Sequence, residues 1–300
     1  DILLSAVHRS RPRRQSLRRL DPVINEMDWQ VVSAALRSSD FSLAMLSNDD
    51  DCVIYYGQAI LSACKSLDLI LMSGQNPPAW HNLFNYLQSP ACVLENLDLS
   101  GISIDDNTAI TLFDAISSNC SLERLNLAGS LRQVGGATLR DLSNCLRSPQ
   151  SVLKKLNICY SPINSDTLRS FALALENNKY MTELMMYNNP EWNKRWEDFS
   201  RLLCGTSTIM ETFNSNHTLE KVVKTTSQPK AIENRLRMNQ QTNKFDIARQ
   251  KIINVHFSGD IDMQHFIDME SGVLPRGIAW VAGGGLSFFY QFVRNMPSFF

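Results

Sequence analysis

A chain of 300 residues can build one large core or two smaller ones, and 44% apolar with 20% charged residues is ordinary globular composition. A formal net charge of −1 excludes a global field drawing the chain to nucleic acid or anionic membrane. Seven cysteines, an odd number with no C-x-x-C pair, argue against a secreted disulfide framework; reduced thiols predict an intracellular location, cytoplasmic or nuclear.

In chain order, the first feature is charge. Residues 8–20 carry six arginines and no acid, so residues 1–20 read as a solvated, disordered arm. A nuclear-import signal, an anion-binding arm and part of an organelle presequence share that composition. The first residue is Asp1 rather than Met, which leaves a leader open. Residues 21–60 hold helical stretches at 31–37 and, running on a little, 53–63, and read as an N-terminal helical cap with one degenerate repeat near Phe41-Ser42-Leu43.

From residue 61 a period takes over. L-E-N-L-D-L-S-G starts at Leu94, L-E-R-L-N-L-A-G at Leu122, L-K-K-L-N-I-C-Y at Leu153 and M-T-E-L-M-M-Y-N at Met181, with successive starts 28, 31 and 28 residues apart. Leu67, Ile70 and Met72, followed by Ser73-Gly74, fit the frame 27 residues before Leu94, and Met210 and Phe213 fit it more weakly downstream. L-x-L alternates two apolar side chains onto one face of a short strand.

The return segments have helical spacing instead. Ile110, Phe113 and Ile116 follow the first strong strand, then Leu139, Leu142 and Leu146, then Leu168, Phe171 and Leu175, then Phe199, Leu202 and Leu203. Asp105 or Asp106, and Ser165, offer N-caps, while Asn119, Pro149, Asn177 and Gly205 mark helix ends. Such a unit buries its apolar face only by stacking on copies of itself.

This pattern resembles the ribonuclease-inhibitor-like leucine-rich repeats, over roughly residues 60–223. The family position three after the last strand leucine, Asn or Cys, is met only by Asn189; Ile102, Ser130 and Ser161 fill it elsewhere. The resemblance implies an α/β leucine-rich-repeat solenoid at 61–223, a curved horseshoe with parallel strands on the concave face and helices on the convex face. Residues 224–244 read as a polar linker or exposed helical excursion, and 245–300 as a C-terminal helical cap. In that cap Phe245, Ala248, Ile252 and Val255 predict one helix, and 273–281 and 286–294 two more. The 17 uncharged residues between Arg276 and Arg294 are interrupted by Gly283-Gly284-Gly285, so no membrane span is expected; an aromatic docking helix or a membrane-surface helix is the alternative to a cap.

Chemistry is scarce. The zinc-protease, P-loop, nucleophile-elbow and dinucleotide motifs are missing from the sequence. Asp260-Ile261-Asp262 starts like a calcium loop but places His265 where Gly is needed and Ser271 where Glu is needed. His256, Asp260 and His265 make no recognisable constellation, so neither a metal nor a cofactor is expected, and no enzyme. Cys92 and Cys120, at equivalent repeat positions, read as small side chains filling one hole in successive coils. Asn119 and Asn216 open glycosylation triplets, a weak signal.

Binding falls to the residues between the strand leucines. Asn96, Asp98 and Ser100, then Arg124 and Asn126, then Lys155 and Asn157, then Glu183, Met185 and Tyr187 are the candidate concave-face residues, alongside Ala128 and Cys159. Mixed charge, amides and an aromatic suit a protein partner, and no unbroken basic stripe offers a nucleic-acid groove. The expected function is a non-catalytic protein–protein interaction scaffold. The alternatives are a regulator of a small GTPase, with Arg124 the residue to suspect, or an enzyme sited in the C-terminal segment.

Overall fold

The computed structural model describes residues 42–47, 65–71, 79–189, 196–222, 229–241, 243–256 and 279. The arginine-rich arm, the helices expected at 31–37 and 53–63, the Asp260–His265 region and the segments 273–281 and 286–294 fall outside these, residue 279 apart. Two compact units make up the chain, Asp1–Pro162 and Ile163–Phe300.

In the first unit, strands β1 (Ser42–Ser47), β2 (Ser66–Leu71), β3 (Asn96–Asp98), β4 (Arg124–Asn126) and β5 (Lys155–Asn157) lie side by side in sequence order. All four pairings are parallel, and Leu97, Leu125 and Leu156 stand in one register row. The apolar positions of the repeat point inward: Leu94, Leu99, Leu127 and Ile158 are fully buried. Each contributes about 1.5–3 kcal/mol by leaving water.

Strands β3, β4 and β5 are short because a turn follows at once, with a left-handed residue at Gly101 (φ 76), Gly129 (φ 74) and Tyr160 (φ 61) in these three coils. Glycine meets that demand without strain; tyrosine does not.

Helices α1 (Ala79–Gln88), α2 (Asp106–Ser118) and α3 (Gly136–Arg147) form the return segments. Their inward stripes include Phe84, Leu112, Phe113, Ile116, Leu139, Leu142 and Leu146, whereas Ile110 is 42% exposed and lies outside the stripe. Asp105 is the N-cap of α2, its carboxylate accepting the Thr108 N–H at 2.8 Å. The adjacent Asp106 reaches forward to the next coil and accepts the Gly135 N–H at 2.9 Å. Gly135 is the N-cap of α3 and has no side chain to cap with, so a carboxylate from the preceding coil completes that helix.

The second unit begins with α4 (Ser165–Leu175) and β6 (Glu183–Met185), continues through α5 (Trp196–Leu203) and α6 (Ile209–Asn214) to β7 (Lys221–Val222), and ends with α7 (Lys230–Asn239) and α8 (Lys244–His256). β6 and β7 are parallel, with Glu183 opposite Lys221 and Leu184 opposite Val222. Asn188 (φ 57) takes the left-handed turn position here.

Several expectations are corrected. Leu67 pairs with Leu97, not with the repeat start Leu94, so the true frame of that coil runs three residues earlier than Leu67, Ile70 and Met72 implied. The start position is then Cys64, whose residue type hid the match. Met210 and Phe213 lie in α6; the next coil starts instead at Leu219, which is fully buried two residues before β7. That interval lengthens because α6 is inserted after α5. The N-cap of α4 is Asn164 rather than Ser165, its amide oxygen accepting the Thr167 N–H at 2.9 Å. Helix α3 is capped by Ser148, one residue before Pro149, and α4 by Glu176, one before Asn177. The polar stretch 224–244 contains α7, whose Ile232, Leu236 and Asn239 are buried, so it is packed structure rather than a simple linker.

Candidate functional site

The alternation that buries one row of leucines turns the flanking residues outward. On β3, β4 and β5 the middle residue is buried while Asn96, Asp98, Asn126, Lys155 and Asn157 are half-buried and Arg124 is exposed; Ser100, just past β3, is exposed as well. Seven of the sequence-selected residues therefore share one face of the first unit. Register makes two columns of them. Asn96, Arg124 and Lys155 form the first, and Asp98, Asn126 and Asn157 the second. The same register brings in Ser66 and Asp68 of β2, which the misplaced frame had concealed.

The two columns do different work. In the second, every side chain folds back on its own turn: Asp98 Oδ1 accepts the Ser100 N–H at 2.9 Å, Asn126 Oδ1 the Ala128 N–H at 3.2 Å and Asn157 Oδ1 the Cys159 N–H at 3.1 Å. These are local turns of the kind that Asp and Asn favour. Asn126 Nδ2 also donates to Asp98 Oδ2 at 2.9 Å, which engages both carboxylate oxygens. This column shapes the turns, a role that a choice by residue type and spacing could not separate from recognition.

Arg124 is the exposed member of the first column. The Arg124 side chain makes no hydrogen bond or ion pair among the described residues, and Lys155 stands opposite it in register. One position earlier in each coil, charges pair across coils instead: Lys65–Glu95 at 3.0 Å and Lys154–Glu123 at 2.5 Å. These pairs are largely exposed and add little stability. At the far end of the strands the Arg132 guanidinium lies 5.9 Å from the ring centroid of Tyr160, which is 45% exposed.

In the second unit Glu183 and Met185 are half-buried on either side of the buried Leu184, and Tyr187 is exposed. Lys221 approaches Glu183 at 3.8 Å, so that carboxylate faces a cation of its own sheet.

The residues singled out for other chemistry are structural. Asn119 and Asn216 are 3% and 2% exposed, which removes both from the surface that glycosylation needs. Asn119 donates to the Leu87 carbonyl at 2.7 Å and accepts from the Ser121 and Leu122 N–H groups. Asn216 donates to the Leu175 carbonyl at 2.7 Å and accepts from Thr218 and Leu219, and Asn178 accepts from Tyr180 and Met181 in the same way. The recurring N-x-x-L or N-x-x-M is thus a helix-to-strand turn.

Cys92 is buried, but Cys120 is exposed, so the two equivalent cysteines do not fill one hole. Cys145 donates to the Phe113 carbonyl, and burial pushes its thiol up to about 11. His256 is buried with Nε2 2.8 Å from the Thr212 hydroxyl, which in turn donates to the Gly205 carbonyl, so it braces a loop.

A buried charge escaped the sequence reading altogether. Lys251, 1% exposed, donates to the carbonyls of Leu203 at 2.6 Å and Asn216 at 3.1 Å and to His217 Nδ1 at 3.1 Å. Those bonds favour the ammonium form, while burial opposes it and pulls Lys251 down to about 7. Burial, followed by the Lys251 charge, lowers His217 to about 4. The neutral imidazole keeps its proton on Nε2, facing the Phe213 carbonyl at 3.0 Å.

Among the described residues no group of His, Cys, Asp and Glu is placed to hold a metal ion, and no helix is long and apolar enough to cross a membrane.

The short parallel strands β3 to β6, each with an inward leucine and a helical return, define an α/β arrangement of the leucine-rich-repeat type. No family model matches the chain. NACHT, LRR and PYD domains-containing protein 4C of Mus musculus is 29% identical over 142 residues, which covers 47% of this chain. NACHT, LRR and PYD domains-containing protein 5 of Homo sapiens is 31% identical over 108 residues, or 36% of this chain. The matched stretches span only 14% and 9% of those relatives' lengths. Among solved structures, the tropomodulin C-terminal domain of Caenorhabditis elegans aligns with a TM-score of 0.43 at 14% identity, covering 58% of this chain and 95% of that one. The structure titled leiomodin-1 actin-binding site 2 aligns with a TM-score of 0.40 at 15% identity, covering 58% and 92%.

Proposed function

We propose that this chain is a non-catalytic protein-interaction module of the ribonuclease-inhibitor-like kind. In this reading it is a curved solenoid, it works inside the cell, and the outward face of its parallel strands holds another protein. One observation carries the proposal: the strand face presents an ordered polar column, Asn96, Arg124 and Lys155, whose exposed arginine meets no partner among the described residues. Free arginines on a rigid scaffold are common anchors of protein interfaces. In the second unit Met185 and Tyr187 would contribute apolar contacts. Fold alone does not fix function, so the proposal rests on the face rather than on the repeat.

The test is an affinity pull-down from cell lysate, with wild type beside a folded variant carrying Arg124→Glu and Lys155→Glu. Asp98 is left intact because both its oxygens are engaged in turn structure. A control variant carries Arg140→Glu on the exposed side of α3. Proteins lost only from the strand-face variant support the proposal. A set retained equally by all three baits contradicts it.

A further inference from the structure

We infer that the β4–β5 face of the first unit is a docking strip for an acidic segment of a partner protein. The inference rests on the strand-face reading above and adds the chemistry of the partner. Arg124 and Lys155 are register partners on adjacent parallel strands, which sets two cations side by side about 4.8 Å apart at the backbone. Nearby carboxylates do not relieve Arg124: Glu123 is tied to Lys154, and Asp98 has one oxygen on the Ser100 N–H and the other on Asn126. A carboxylate arriving from outside would supply the counter-charge that Arg124 does not find among the described residues, and arginine would grip it in a forked pair of hydrogen bonds.

The strip continues past the strands. Asn126 and Asn157 form its neutral middle, and its far end is Arg132 lying over Tyr160. Tyr160 occupies the left-handed turn position that is Gly101 and Gly129 in the two preceding coils. A residue with a side chain is strained there, whereas glycine is not. The local fold has no need of that residue, since glycine serves the same turn twice; what tyrosine adds is a half-exposed ring beneath a cation. From Lys155 to Tyr160 the strip runs along β5 and into the turn beyond it, at most roughly 16 Å, which an extended segment of no more than about five residues would cover. Two cations at one end and one at the other call for Asp or Glu near both ends of that segment. The amide-lined middle and the chain's overall charge of −1 favour a protein over a polyphosphate backbone.

The test presents the full 300-residue chain to a displayed library of random peptides. Parallel selections use Arg124→Glu with Lys155→Glu, the milder Arg124→Gln with Lys155→Gln should the reversal fail to fold, and Tyr160→Gly. Circular dichroism confirms folding of each. Wild type is expected to enrich Asp and Glu, and the best synthetic peptide should weaken about tenfold on loss of the two cations and further as salt rises. Tyr160→Gly should weaken the same peptide while leaving the melting temperature unchanged or higher.

Selected peptides with no acidic excess, or no selection at all, overturn the inference, as does binding of single-stranded RNA in place of acidic peptide. Should non-acidic peptides still depend on Arg124 and Lys155, the acidic assignment fails while the strand-face reading stands. Should acidic peptides bind wild type and variants alike, both fail.

Discussion

Asparagines occupy two regions of this molecule and do opposite jobs. At the helix-to-strand turns, Asn119, Asn178 and Asn216 are buried, and each amide oxygen accepts two backbone N–H groups. On the strand face, Asn126 and Asn157 are half-buried and each accepts one N–H from its own turn. The difference teaches that residue type carries no role by itself here; position within the repeat does. A buried amide that loses its partners leaves backbone groups with no water to turn to, whereas a surface amide is replaced by solvent.

Asn216→Ala breaks the comparison most severely. It removes four hydrogen bonds to buried backbone, and a loss of about 4 kcal/mol in unfolding free energy is expected from urea titration. Leu127→Ala tests the apolar half of the same architecture. Leu127 is fully buried, so truncation should cost about 3 kcal/mol, read as a fall in melting temperature.

The polar joint in the second unit also responds to pH. His217 titrates near 4 when folded and near 6.5 in its ordinary state, so the unfolded chain binds the extra proton between those values. Stability therefore falls as pH drops from 6.5 towards 4, by on the order of 2 kcal/mol. Lys251, near 7 when folded and 10.5 ordinarily, acts in the same sense at higher pH. Stability should rise from pH 7 towards 9, above which the Cys204 thiol, raised by burial, works the other way. Arg235 and Lys244 face Lys251 as further cations and reinforce its depression. Urea midpoints at stepped pH values check both slopes, and Lys251→Met should flatten the alkaline one. At the small end, Asn157→Ala should cost about 1 kcal/mol or less by the same titration, sharpening the contrast with Asn216.

Much of the architecture was legible in the residues. L-x-x-L-x-L fixed β3 to β6 and the inward leucines because period-two alternation and burial are the same fact seen twice. The frame slipped where the start residue was not leucine, at Cys64, and where α6 lengthened the interval before Leu219. In the second case a signal existed, since Asn216-His217-Thr218-Leu219-Glu220 repeats the form of Asn119-Cys120-Ser121-Leu122-Glu123. Read as glycosylation triplets, those asparagines gave no frame; read as turn residues, they would have set it.

The candidate face was legible as a set of positions but not as a division of labour. Asp98, Asn126 and Asn157 look like recognition residues until their bonds to the next turn are seen. Lys251 was invisible, because a lysine in an amphipathic helix reads as solvated and only tertiary packing buries it.

Recognition falls either on the strand side of the coils or on their helix side. A photo-crosslinking residue placed at Ser100, exposed beside the strand face, and in a second variant at Ile110, exposed on α2, would decide it with any protein recovered by the pull-down. Crosslinking from position 100 and not from position 110 is the expected result. Crosslinking from 110 alone would move recognition to the helices and contradict the account.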